Sequence, residues 1–179
     1  ASGKNKRCKE DCKVFLYEKV DYNALCNVVQ LDLSADEELQ LGHIFNAMTG
    51  LQHREPGVVG AVFNSDVYTE LIADNIHVNP SLYQTLFRQK GNKRLMLITD
   101  CMCAGGMSPG KYNLGTLTVV VDHEKASLEN GTLAGSILTM NHALKHFVKH
   151  AEESLSTVMP MMGENQAQLL GIEKIGKLE

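Results

Sequence analysis

The chain has 179 residues, of which 44% are hydrophobic and 21% charged, and a formal net charge of −4. This length and balance suit one soluble globular domain with a good core, and the small negative charge gives no footing for nucleic acid. No apolar run approaches the roughly 20 residues of a membrane span, and Ala1–Arg7 has no apolar stretch behind it, so neither a membrane anchor nor a signal peptide is expected.

Residues 1–13 are polar and basic and read as a frayed end or an exposed helix. Cys8 and Cys12 have no second pair at finger-like spacing, so no zinc knuckle is expected there. With Cys26, Cys101 and Cys103 they make an odd set at irregular spacing, which points to a reducing cytoplasm. Val14 to Tyr17 and Leu25 to Leu33 are apolar enough for strands. Ser34, with Glu37 three residues on, reads as the capping box of a short helix. Gly42 to Asn46 reads as a strand end and turn, and Arg54 to Gly57 as a second turn. Val58 to Phe63 and Tyr68 to Ala73 are apolar segments, the second the clearer strand, with Asp74-Asn75-Ile76-His77 at its carboxyl end. Asn79-Pro80 starts a helix from Ser81 to Lys90, with Leu82, Leu86 and Phe87 on one face and Gly91 as its C-cap.

Leu95 to Ile98 is a run of four apolar residues, the pattern of a strand buried on both faces in a parallel sheet. Asp100 ends it, and Cys101 to Gly106 forms a loop. Leu117 to Val121 is expected to pair with Ala126 to Leu128, and Asn130-Gly131 to turn. Gly135-Ser136 is expected to open a helix to about His150, followed by helices over Ser154 to Met162 and Gln166 to Leu170. Strands alternating with helices, with polar residues at strand ends, predict a parallel α/β arrangement.

Three residues carry the chemistry. His43, His77 and Asp100 end three successive strands, and in a parallel sheet all three face one mouth. A histidine and an aspartate so placed can bind a metal or act as general base and orienting group; each also has a plainer reading, as a structural histidine or a cap. Leu133-Ala134-Gly135-Ser136, read as a helix start, offers backbone N–H groups to a phosphate, or is an ordinary Ser N-cap. Arg54 is a fork for an anionic group or a surface partner of Glu55 or Asp66. Cys101 and Cys103 offer thiolates to a soft metal or are small loop residues. His142, His146 and His150 recur every four residues and read as a solvated helix face.

Taken together, His43-Ile44-Phe45-Asn46-Ala47-Met48, His53-Arg54-Glu55-Pro56-Gly57, Ile72-Ala73-Asp74-Asn75-Ile76-His77-Val78, Leu97-Ile98-Thr99-Asp100 and Gly131-Thr132-Leu133-Ala134-Gly135-Ser136-Ile137-Leu138-Thr139-Met140 resemble the N-acetylglucosamine-6-phosphate deacetylases of the amidohydrolase superfamily. The match covers about residues 42–176. The resemblance implies a metal-dependent (β/α)8 barrel, of which this chain matches the later part, since a full barrel takes about 250 residues. Residues 1–30 are a poorly matched N-terminal segment, and 31–179 read as a partial catalytic barrel domain.

The resemblance also assigns roles. His43 matches a metal-ligand histidine, the ion being zinc first, with iron or another divalent ion as alternatives. Asp100 matches the catalytic acid/base. Asn46, Ala47, Arg54, Asp74, Asn75, Ile76, His77, Leu133, Ala134, Gly135 and Ser136 match positions that bind the sugar phosphate. The arginine serves a neighbouring subunit's site, which implies a homodimer, with no nucleic acid or membrane as partner. The implied reaction is hydrolysis of the acetamide of N-acetylglucosamine 6-phosphate to glucosamine 6-phosphate and acetate. Two departures stand out. Leu33 lies about where a further histidine is expected, and no proline follows Asn165. The alternative they leave is a non-catalytic sugar-phosphate-binding fragment that has lost its metal shell.

Overall fold

The computed structural model describes residues 15–16 and 40–173. Four strands pair in parallel in the order β1-β2-β3-β4: β1 (Phe15–Leu16), β2 (Gln40–Leu41), β3 (Tyr68–Ile72) and β4 (Leu95–Ile98). The longest pairing, β3 with β4, sets Thr69 against Leu95 and Ile72 against Ile98. Spatial order follows chain order, and each strand pairs in parallel with the next, as strand-crossover-strand units require. The expected strand over Leu25–Leu33 and the capped helix at Ser34 lie outside the described residues.

Helix α1 (Gly57–Phe63) occupies the apolar segment at Val58–Phe63 that reads as a possible strand. Its residues from Gly57 to Val62 are all buried, so no polar face marks a 3.6-residue period. A short 3₁₀ turn, Pro80–Leu82, capped by the Asn79 side chain, leads into α2 (Tyr83–Arg94). Gly91 interrupts α2 at φ 64° and ψ −178°, a conformation open to glycine. The helix proper thus ends near Lys90, as the sequence predicts. Leu86 is buried on the inner face, but Leu82 is 37% exposed because it belongs to the 3₁₀ turn.

After Asp100 the chain leaves the parallel sheet to build an antiparallel one from β5 (Gly110–Leu114), β6 (Leu117–Val121) and β7 (Ala126–Leu128). The β6–β7 pair appears as expected, with Val121 opposite Ala126. Strand β5 was not expected: its Lys111, Asn113 and Leu114 are all exposed and give no apolar alternation. This sheet encloses its own small core of Met102, Ala104, Val119, Val121, Ala126 and Ala134.

Helix α3 (Met140–Ala151) then returns against the parallel sheet. Its Phe147 ring stacks on Tyr83 of α2 with centroids 5.6 Å apart, inside the main core of Val62, Leu71, Leu86, Leu95 and Leu97. The helix expected to open at Gly135-Ser136 begins only at Met140; Leu133 and Ser136 form isolated β-bridges instead. The expected Ser154–Met162 helix divides into α4 (Leu155–Val158), capped by Ser154, and a 3₁₀ turn over Met159–Met162. Helix α5 (Glu164–Leu169) follows. Asn165, whose missing proline is noted above, turns inward: its amide donates to the carbonyls of Asn92 and Leu95 at 2.8 Å each, fixing α5 to the start of β4. No described helix is long and apolar enough to cross a membrane.

Candidate functional site

Parallel order puts the residues after β2, β3 and β4 side by side at one end of the sheet. The sequence expectation for His43, His77 and Asp100 holds in this respect. His43 lies two residues beyond β2, in a turn that places His43, Phe45 and Ala47 at positive φ (50°, 74° and 53°). The Ile44 N–H donates to the Glu70 carbonyl at 2.9 Å and seats this turn on β3. The His43 ring is half-buried, and its Nε2 lies 3.9 Å from the Glu70 carboxylate. The sequence reading does not single out Glu70; its signal is a charged residue inside a strand whose other members are Tyr68, Thr69, Leu71 and Ile72.

Beyond β3, Asp74 organises a tight turn. Its Oδ1 accepts the N–H groups of Ile76 (2.9 Å) and His77 (2.8 Å), and its Oδ2 lies 2.6 Å from His77 Nδ1. Burial pushes the Asp74 carboxyl up, but the His77 ring and the two backbone N–H groups outweigh it and hold the group below its ordinary value. Asn75 sits at φ 66° and donates its N–H to the Tyr83 hydroxyl at 3.0 Å. Burial in turn lifts the Tyr83 phenol to about 12. Asn75 Oδ1 is buried and accepts no hydrogen bond among the described residues.

Beyond β4, Asp100 takes φ 47°, and its backbone carbonyl accepts the Ser136 N–H at 2.8 Å. The Met102 N–H donates to the Ser136 carbonyl at 2.9 Å, so Cys101 and Ser136 form a parallel bridge. The Ser136 hydroxyl donates to the Thr99 carbonyl and accepts from the Leu138 N–H. Ser136 is therefore no helix cap. It joins the segment to residues 99–102 just beyond β4, while Leu133 bridges Ser127 and the Ala134 N–H donates to the Ala126 carbonyl of β7, so a helix N-terminus for phosphate does not exist there. A Cβ on Gly135, at φ 71°, would stand 3.1 Å from the Asp100 carbonyl oxygen. The half-buried Asp100 carboxylate makes no hydrogen bond or ion pair among the described residues.

The remaining expectations divide. Arg54 is exposed on a loop closed by Thr49, whose hydroxyl accepts the Val58 N–H at 2.9 Å. Asp66 pairs with Arg94 at 3.0 Å, so it is not the partner of Arg54. Asn46 and Ala47 are exposed on the turn after His43. Both Cys101 and Cys103 are free thiols, directed at the carbonyls of Met102 and Asn113; burial, then the Asp100 charge, raises the Cys101 thiol. The expectation of a solvated histidine face on α3 is corrected for two of three residues. His146 Nδ1 lies 2.9 Å from the Ala73 carbonyl, and the His150 ring meets Tyr83 edge-on at 6.1 Å. A cleft of about 380 Å³ beside the strand ends is lined by Asp74, Ile76, His123, Glu124, His142 and His146, with Ile137 and Leu138. Neither His43 nor Asp100 borders it.

Metal fit can be tested on these donors. Among the described residues no three His, Cys, Asp or Glu side chains converge on a point that would hold an ion. His43 has one carboxylate near it, whereas a catalytic zinc uses three protein ligands. The described donors do not amount to such a shell.

The fold and the site together define an α/β protein that gathers its polar side chains at the carboxyl ends of parallel strands. Comparison with known proteins gives the family. No protein-family profile matches the chain. It is 44% identical over 131 residues to the N-acetylglucosamine-6-phosphate deacetylase of Bacillus subtilis, covering 73% of this chain and 33% of that one. It is 36% identical over 134 residues to a putative N-acetylgalactosamine-6-phosphate deacetylase of Escherichia coli K12, covering 74% of this chain and 80% of that one. The crystal structure of N-acetylglucosamine-6-phosphate deacetylase from Pasteurella multocida superimposes with a TM-score of 0.79 at 29% identity, over 89% of this chain and 41% of the other. The chain belongs to the N-acetylglucosamine-6-phosphate deacetylase family. It spans about a third of the length of the Bacillus relative it matches.

Proposed function

We propose that the chain carries the acid/base and substrate-binding part of an enzyme that hydrolyses the acetamide of an N-acetylhexosamine 6-phosphate, with N-acetylglucosamine 6-phosphate as first substrate. The observation that carries this reading is the bridge between Ser136 and Cys101, just beyond β4. It sets the segment that the family resemblance gives to the substrate directly beside Asp100. Asp100 takes the proton of an attacking water whose oxygen bonds to the acetyl carbon. The carbon–nitrogen bond then breaks, and Asp100 returns the proton to the leaving nitrogen, giving acetate and the amino sugar phosphate. Its carboxylate has no competing hydrogen bond among the described residues, as this work requires.

The family resemblance supplies the remainder of the reading. The four parallel strands are the later strands of a (β/α)8 barrel. Arg54 is carried outward on its loop to the phosphate in the site of a second copy, in a cytoplasmic homodimer. The resemblance also gives a divalent ion, zinc before iron, to His43. Since the described donors fall short of a shell, the chemistry above is confined to the chain's own side chains.

The test is acetate release from N-acetylglucosamine 6-phosphate and N-acetylgalactosamine 6-phosphate by the wild type and Asp100→Asn. Turnover that falls about 10²–10⁴-fold in the variant, with sugar-phosphate binding retained, is the expected result. Equal turnover removes Asp100 from the mechanism. Tight binding of the sugar phosphate with no turnover by the wild type gives the non-catalytic binding protein instead.

A further inference from the structure

The family resemblance counts Asp74 among the residues that hold the substrate, yet among the described residues every hydrogen bond to its carboxylate comes from its own turn. Oδ1 takes the backbone N–H groups of Ile76 and His77, and Oδ2 lies 2.6 Å from the His77 ring. Both side chains are more than nine-tenths buried, at 9% and 5% exposure. An ionised carboxylate only accepts hydrogen bonds, so the ring nitrogen facing it must be the donor. From this geometry we propose that Asp74 is a positioning residue: it fixes the proton of His77 on Nδ1 and presents Nε2 as the atom that meets the substrate.

The arrangement is that of a carboxylate orienting an imidazole in a catalytic dyad. A neutral His77 held this way offers a lone pair at Nε2, which matches a hydroxyl or amide N–H of the substrate. The turn is anchored on both sides, by Asn75 N–H on the Tyr83 hydroxyl and by Val78 in the main core, so the ring has little freedom to reorient. The inference rests on the proposed function for its use in turnover, but not for the tautomer itself.

Asp74→Asn tests it sharply. The two backbone N–H groups need an oxygen, so they fix the orientation of the new amide and turn its NH₂ toward His77 Nδ1. The ring must then accept at Nδ1 and carry its proton on Nε2. Ring ¹⁵N NMR on the full chain, at a pH where the imidazole is neutral, reads the tautomer directly, and His77→Gln identifies the signal. We expect the proton on Nδ1 in the wild type and on Nε2 in Asp74→Asn, with turnover lowered about 10²–10⁴-fold and the thermal melt little changed. A wild-type ring protonated on Nε2, the same tautomer in both proteins, or wild-type turnover in Asp74→Asn would each overturn the proposal. Since the spectrum is read without substrate, loss of the deacetylase reading would leave the tautomer result standing.

Discussion

Lys90 shows how a single residue can be charged, buried and structural at once. It is 7% exposed, and its ammonium donates to the carbonyls of Val62 (3.2 Å) and Ser65 (2.8 Å), satisfying groups at and just beyond the end of α1. Burial brings its amine down to about 8; Asp66 opposes the shift and Arg94 adds to it. A base whose folded value lies below its unfolded value binds fewer protons in the folded chain, so stability rises with pH across the interval between them. We expect stability attributable to Lys90 to rise between about pH 8 and 10.5, an increase missing from Lys90→Met. Chemical denaturation of both proteins at pH 7.5 and 10 measures it; parallel curves would show that the ammonium is not desolvated. Ser136 matters at the same scale. It is 2% exposed, and its hydroxyl serves both Thr99 and Leu138. Ser136→Ala should cost about 1–3 kcal/mol of stability, the usual consequence of leaving buried backbone groups unpaired. A melt equal to wild type would show that the bridge to Cys101 holds without the hydroxyl.

Between residues and the whole chain lies the segment from 133 to 136. A glycine and a serine before an apolar run look like a helix start, and the helix does begin four residues later, at Met140. Bridge pairing overrides the local preference: Leu133 and Ala134 pair with β7, and Ser136 pairs with Asp100 to Met102 beyond β4, where backbone groups need partners. Gly135 makes the approach possible: it adopts φ 71°, and no Cβ intrudes on the Asp100 carbonyl oxygen. Gly135→Ala should therefore destabilise by about 1–3 kcal/mol and displace Asp100, lowering turnover more than an alanine in a remote loop. Differential scanning calorimetry and acetate release decide this together. Normal stability and normal activity in the variant would mean that the strand end tolerates the methyl group.

For the molecule as a whole, the family reading makes two demands that the described residues meet unevenly. Arg54 is exposed on a tied loop with no ion pair among the described residues, and the proposed reading gives it the phosphate in the site of a second copy. Arg54→Ala should weaken the phosphorylated sugar about 10- to 150-fold and the unphosphorylated one little, the worth of a charge-assisted contact. Isothermal titration with both sugars tests it, and equal losses would assign Arg54 to the fold. The metal is the other demand. One histidine and one nearby carboxylate hold a divalent ion weakly, so zinc should be lost from the chain on dialysis. Stoichiometric zinc that disappears in His43→Ala would show that residues outside 40–173 or a second copy complete the shell.

The residues by themselves determined the local elements with strong patterns and the positions of the polar strand ends. Leu95 to Ile98 is apolar because both faces are covered, Asn79 caps the turn before α2, and Asp74, His77 and Asp100 follow their strands directly. Motif order also gave the family, because five short matches in sequence need no coordinates. Tertiary structure decided what depends on a distant partner. The α1 segment is helical because its neighbours bury it on all sides, which erases the periodicity by which a helix is recognised. The Gly135–Ser136 segment is no helix start because Ser136 pairs with the backbone just beyond β4, and His146 and His150 turn inward toward Ala73 and Tyr83. Only packing could show that the Asp74 carboxylate is spent on His77. Each of these is set by hydrogen bonds or burial between residues far apart in the chain or folded back on it, a free energy that no local pattern records.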